Sequence, residues 1–217
     1  MSDVVDLLRN LIRVDTSNPP GRETPAAIVV RDYLSAAGLD AELVAKDPER
    51  ANVVARLRGG DGPTLAFLGH LDVVPARRER WSVDPFGAEL RDGEVWGRGA
   101  VDMKCWVAAS CAALASLARD GFEPAGDVVF IGSVDEEQGN AGVGMPWLVE
   151  ARPDIRTDFS VNEGAGERFE VDGRAYYTLA AGDKAGTTAT VRFRGRAGDP
   201  SARVAAENGR ASCRERV

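Results

Sequence analysis

The sequence predicts an α/β fold with a mostly parallel central sheet and helices on both faces, followed by the start of a smaller α+β element. Three observations predict it. Short runs rich in branched apolar residues, at 52–57, 64–68 and 128–131, are bounded by Gly, Asp or Pro, the pattern of buried strands. Segments of helical periodicity lie between them, and that interleaving describes a sheet covered on both sides. After Tyr177 the texture changes to small and polar residues, which marks a second region.

In chain order, residues 3–14 place Val4, Leu7, Leu8, Leu11 and Ile12 at helical spacing, with Ser2 as the cap. The run Thr16-Ser17-Asn18-Pro19-Pro20-Gly21 breaks that helix, since proline cannot continue it. Residues 23–37 form a second helical pattern with Ile28, Val29, Tyr33 and Leu34 on one side and Gly38 as its stop. Helices are also expected over 104–119 and about 143–151, and a fourth strand over 158–162. The uncharged stretch 105–118 falls short of the roughly 20 apolar residues of a membrane span, so it reads as a buried helix and no membrane partner is expected.

Composition narrows the function. Lys and Arg number 27 against 34 Asp and Glu, a formal charge of -7, which argues against a general nucleic-acid binder. The N-terminus MSDVVDLLRN has no secretory pattern. The three cysteines, Cys105, Cys111 and Cys213, show no CxxC spacing, so neither a disulfide framework nor a thiolate zinc site is supported and a reducing cytoplasm is expected. Cys105 reads as a small buried helix residue. The loop 97–99 lacks the third glycine of a nucleotide loop. Trp81, Pro85, Phe86 and Trp96 read as packing residues, and Arg77, Arg78 and Arg80 as a solvated basic loop.

The chemistry lies where strands end. The run 64–69 leads into His70-Leu71-Asp72, the run 127–134 into Asp135-Glu136-Glu137, and the run 158–162 into Glu163. Ligand crevices of open α/β sheets lie beyond the carboxyl ends of the strands, so these residues are expected on one rim, with Asp102 able to join them from a Gly-containing turn before a helix. Asp72, Asp102, Glu136, Glu137 and Glu163 brought so close raise one another's pKa unless a cation sits among them. One imidazole with carboxylates suits zinc or a similar first-row ion such as Co2+ or Mn2+. Glu136 and Glu137 can serve one site only from a turn, one on the metal and the other as a general base.

The stretches LIRVDTSNPPG, GHLDVVP, SVDPFGAEL with RDGEVWGRGAVDMK, GSVDEEQG and VNEG, in this order and spacing over roughly residues 1–200, resemble the co-catalytic zinc amidohydrolase and exopeptidase family. That family includes aminoacylase, acetylornithine deacetylase, succinyl-diaminopimelate desuccinylase and glutamate carboxypeptidase. The resemblance implies that His70 binds a first zinc and that Asp72 orients it. It implies that Asp102 bridges two metals ahead of an often cis peptide bond, that Glu163 completes the first zinc and Glu137 serves the second, and that Glu136 is the general base. The implied reaction is hydrolysis of an amide in a small N-acyl amino acid or peptide. A homodimer is implied for the full-length parent.

Two further histidines of the family are missing, since His70 is the sole histidine. Asp199 stands where the family usually carries the histidine that holds the oxyanion. One competent and one weak metal position are therefore expected, with little or no turnover, and poor solubility. The alternative is a degenerate relative that binds metal without catalysis. The expected organisation is a metal-binding catalytic domain over 1–179 and the start of a truncated lid or dimerisation domain over 180–208. Residues 209–217 read as a non-native tail, similar to a translated sequencing-library adapter.

Overall fold

In the computed structural model, residues 3–164 and 167–178 are described. The chain divides into two compact units, Met1–Gly164 and Ala165–Val217. Ser2, residues 180–208 with their strand-like stretch and Asp199, and the tail 209–217 lie outside the described residues.

In the first unit, helix α1 (Asp3–Arg13) buries Leu7, Leu11 and Ile12. Its acidic first turn and basic last turn both complement the helix dipole. Helix α2 (Thr24–Ala36) carries proline in its first turn. It ends as Gly38 adopts φ +87°, with Gly38 N–H donating to Ser35 O and Leu39 N–H to Leu34 O, a Schellman closure. Its buried stripe is Ala26, Ala27, Val30 and Leu34. Of the expected face only Leu34 is buried, while Ile28, Val29 and Tyr33 are half-buried.

Strands β1 (Asp40–Val44), β2 (Asn52–Leu57) and β3 (Leu65–His70) follow, then the short hairpin β4 (Glu89–Arg91) and β5 (Glu94–Trp96). Helix α3 (Lys104–Arg119), strand β6 (Val128–Ser133), helix α4 (Met145–Ala151) and strand β7 (Phe159–Val161) complete the unit. The central sheet has the order β1-β2-β6-β3-β7. β2 is antiparallel to both β1 and β6, while β3 is parallel to β6 and β7. Four of the five strands therefore point one way and β2 alone opposes them. β6, buried at all six positions, is the middle strand.

Alternation along the strands divides the core. Val53, Ala55, Val128 and Phe130 face α1, α2 and α3, whose Leu11, Val30 and Leu114 lie in the same cluster. Val54, Val129 and Ile131 face the other side, where Leu148 of α4 and Ile155 pack. Helices thus cover both faces. α3 presents Val107, Ala108, Cys111, Leu114 and Ala115, the spacing of a single helical stripe. At the sheet edge, Phe159 and Val161 of β7 are exposed.

Several expectations change in detail. β3 and β6 run two residues further than their apolar runs, because the ladder continues to the pair His70–Ser133. α4 starts at Met145 and not near 143, since Pro146 suits a first turn. Cys105 is half-buried, its thiol donating to Val101 O at 2.9 Å. The basic loop is a 3-10 turn at Arg78–Arg80, with Arg78 paired to Asp84 at 2.6 Å. Among the described residues no helix is long and apolar enough to cross a membrane.

In the second unit, β8 (Arg168–Val171) and β9 (Arg174–Tyr177) form an antiparallel hairpin. Asp172 and Gly173 turn it at φ +50° and +72°, and Phe169 stacks on Tyr176.

Candidate metal centre

Parallel register places the site. His70 is the last residue of β3 and lies opposite Ser133, the last residue of β6. β7 pairs with the start of β3, so Glu163, two residues past Val161, rises at the same rim. Beyond Ser133, Asp135 takes φ +62° and turns the chain, which carries Glu136 and Glu137 out of the strand geometry that would have split them. Asp102 arrives from the loop ahead of α3, and its peptide bond to Met103 is cis.

His70 Nε2 lies 3.0 Å from Asp102 Oδ1, 3.6 Å from Glu163 Oε1 and 3.8 Å from Glu136 Oε2. The described residues hold one group of three or more metal-ligand side chains, His70, Asp102 and Glu163, with ligand atoms all within 4.8 Å of one another. An ion bound tetrahedrally at about 2.0–2.1 Å separates its ligand atoms by roughly 3.3 Å. The distances from His70 Nε2 to Asp102 and Glu163 straddle that spacing, so this donor set fits a first-row divalent ion. Glu137 falls outside the group; its Oε1 accepts the Val74 N–H at 3.1 Å.

The imidazole is oriented from behind. Its Nδ1–H donates to the main-chain carbonyl of Asp72 at 2.8 Å, while the Asp72 carboxylate stands 3.6 Å away. That bond leaves Nε2 as the free lone pair toward the acids. Asp72 is fully buried and accepts from Asn18 Nδ2 at 2.9 Å, Glu136 N–H at 3.1 Å and Glu137 N–H at 3.0 Å.

Electrostatics at the rim favour a positive charge. Burial pushes the His70 pKa down, but Asp72, Glu163 and Glu136 outweigh it and raise it to about 9. Burial raises the Glu163 carboxyl, with Asp102 and Glu136 adding to the rise against the pull of His70. Burial and then Asp102 raise Glu137. For Asp72 burial is again the largest influence, but the adjacent His70 ring and the hydrogen bonds from Asn18 and the two backbone N–H groups prevail and hold it low.

The structure adds residues that the sequence reading left out. Asn18 Nδ2 also donates to Asp135 Oδ1 at 3.2 Å. Asp135 is buried, accepts the Ala141 N–H at 2.7 Å and lies 3.5 Å from Arg50 Nη1. Arg50, itself buried, forks onto Glu23 at 2.9 and 2.5 Å. Buried Lys104 donates to Leu11 O and Val14 O, capping the end of α1, and burial lowers its pKa to about 8. Asn18 sits in the TSNPPG run and Asp135 in DEE, so both were in view. Nothing local says that residues 117 apart in sequence share a hydrogen bond.

The family profile described as Peptidase family M20/M25/M40 matches residues 66–204. Succinyl-diaminopimelate desuccinylase of Bradyrhizobium diazoefficiens is 42% identical over 147 residues, covering 63% of this chain and 37% of that protein. The Rhodospirillum centenum protein of the same name is 41% identical over 140 residues, covering 62% and 36%. The chain thus spans little more than a third of the length of these relatives. Among solved structures, an M20 family metallo-carboxypeptidase from Sulfolobus solfataricus superposes with TM-score 0.65 at 23% identity, covering 76% of this chain and 38% of that one. Human carnosine dipeptidase 1 superposes with TM-score 0.60 at 24% identity, covering 74% and 38%. Both share the fold described above. A profile match over more than half of the chain, carrying the residues of the rim, makes this chain a member of peptidase family M20/M25/M40.

Proposed function

We propose that the chain carries one divalent-metal position and the general base of an amide hydrolase. His70 Nε2 and one oxygen each from Asp102 and Glu163 hold the ion. Zinc suits that donor set, and Co2+ or Mn2+ would satisfy the same atoms. When bound, such an ion supplies Lewis-acid polarisation of a carbonyl and a water acidic enough to ionise near neutral pH.

The chain's own groups do the rest. Asp72 holds the His70 ring in the tautomer that presents Nε2. Glu136 stands 3.8 Å from Nε2 and outside the three-ligand group, so its carboxylate is free to take a proton from the attacking water and return it to the leaving nitrogen. Asp102 and Glu137 offer a second position with carboxylates alone. Carboxylates without an imidazole make it the weaker of the two positions for zinc.

The substrate class is an amide of a small N-acyl amino acid or peptide. Relatives named succinyl-diaminopimelate desuccinylase make an N-succinyl amino acid the first compound to assay.

The convergence of His70, Asp102, Glu163 and Glu136 on one rim carries this reading. Its test is a zinc titration of the metal-free chain against a chromophoric chelator, beside a hydrolysis assay. One tight ion per chain is expected, abolished in His70→Ala and kept in Glu136→Gln. Glu136→Gln lowers hydrolysis at least about 100-fold. Zinc binding unaffected by His70→Ala would reject the site. No hydrolysis by the zinc-loaded wild type would reject the catalytic half and leave a metal-binding protein.

A further inference from the structure

We propose that Asn18 is a positioning residue of the metal site: its side-chain amide brackets two buried carboxylates, Asp72 and Asp135, and so fixes the His70 ring and the Glu136–Glu137 turn in one arrangement. The inference rests on the reading of the site given above.

Asn18 is 2% exposed, and its Nδ2 lies 2.9 Å from Asp72 Oδ2 and 3.2 Å from Asp135 Oδ1. Two buried acids facing each other repel, and each needs donors. A primary amide provides two N–H groups from one nitrogen and adds no charge. A serine hydroxyl in its place offers one donor; alanine offers none. Aspartate would set a third carboxylate between the other two.

The amide is held at both ends. On its own side, the loop runs beside residues 71–73. Asn18 N–H donates to Val73 O at 2.9 Å, Val73 N–H to Thr16 O at 3.2 Å, and Thr16 Oγ1 to Leu71 O at 2.6 Å. The Asn18 backbone is thereby fixed relative to His70-Leu71-Asp72. On the far side, Asp135 is anchored by the Ala141 N–H and by Arg50, which Glu23 holds in turn. A continuous buried chain therefore runs from the start of α2 to Asp72.

Asp72 is where that chain meets the site. Its main-chain carbonyl takes the His70 Nδ1–H, and its carboxylate takes the N–H groups of Glu136 and Glu137. Without the Asn18 amide, Oδ1 keeps only the Glu136 N–H and Oδ2 only the Glu137 N–H, so the carboxylate is tied to the turn but no longer to the loop at Asn18 or to Asp135. The ligand behind it and the base beside it then lose a common reference.

The test uses the full 217-residue chain, Co2+ as the probe, chelator competition for affinity and the visible bands of bound Co2+ for geometry. Asn18→Ala is expected to weaken Co2+ binding about 10–100-fold and to shift or weaken the bands. Asn18→Ser, with one donor left, falls between it and wild type. Leu148→Ala, on the buried side of α4, controls for lost stability: it lowers the melting temperature and leaves affinity and spectrum alone. If Asn18→Ala does not fold, Asn18→Ser decides on the same readouts. Wild-type affinity and bands in the folded Asn18 variants, with binding lost in His70→Ala, would overturn the inference alone. Binding retained in His70→Ala would overturn the site reading beneath it.

Discussion

The two halves of the metal centre are built on opposite principles. Behind the His70 ring, every polar group is buried and paired: Asp72 is 0% exposed, and Asn18, Asp135, Arg50 and Glu23 connect it to α2. In front of the ring, the acids face water. The Asp102 side chain is 63% exposed, that of Glu136 52% and that of Glu163 36%. The difference separates folding from chemistry. The buried half is complete without an ion, because hydrogen bonds already answer its charges. The exposed half is a set of like charges whose strongest available partner is a cation.

This contrast predicts how substitutions should fall, beginning with the most severe. Glu23→Ala strands Arg50, a buried guanidinium, beside Asp135 alone. Removing one partner of a buried pair costs about 3–5 kcal/mol. Chemical denaturation should show that loss with or without metal; a loss below about 1 kcal/mol would place the Glu23–Arg50 pair among ordinary surface contacts.

The next effect is a pH slope in the metal-free chain. His70 titrates near 6.5 unfolded and about 9 folded, so the folded state holds its proton more tightly. That stabilisation is fully present below about 6.5 and is lost as pH rises through 9. Lys104, pushed down to about 8 by burial, gives the opposite slope only above that value. Between about 6.5 and 8, stability should therefore fall, by up to ~2 kcal/mol. Saturating zinc and His70→Asn should each remove the slope. A slope that persists in His70→Asn would assign it elsewhere.

At the rim the fold should scarcely notice. Glu163→Gln removes one like charge and one ligand oxygen, so the metal-free melting temperature holds or rises slightly while zinc affinity drops more than about 100-fold, in excess of what partners behind a ligand typically cost. Glu136→Gln should be the mildest for both, within about 0.5 kcal/mol of wild-type stability, with zinc affinity intact. A large destabilisation by either would erase the distinction between the two halves.

The sequence disclosed the exposed half better than the buried one. His70, Glu136, Glu137 and Glu163 each follow an apolar run, and the end of a parallel strand is a place that a sequence can specify. Helix α3 and strand β2 were readable to the residue, since both are continuous apolar patterns with sharp ends. β1 was not, because DAELV is an edge strand of exposed and half-buried positions with no clean alternation. Both hairpins were missed although each carries an Asp-Gly turn, Asp92-Gly93 and Asp172-Gly173, all four at positive φ. That dipeptide is a strong short-range hairpin signal, but three- and four-residue strands gave it little support. The Glu23–Arg50–Asp135–Asn18–Asp72 chain was not legible at all. Its members are single polar residues in loops and turns, paired across 27 to 117 positions.

The most direct test of the central claim is X-ray absorption at the zinc edge of the zinc-loaded chain. A first shell of nitrogen and oxygen at about 2.0–2.2 Å, with the outer scattering of a single imidazole, is the predicted result. A shell that contains sulfur, or one with no imidazole in the wild type, would contradict it.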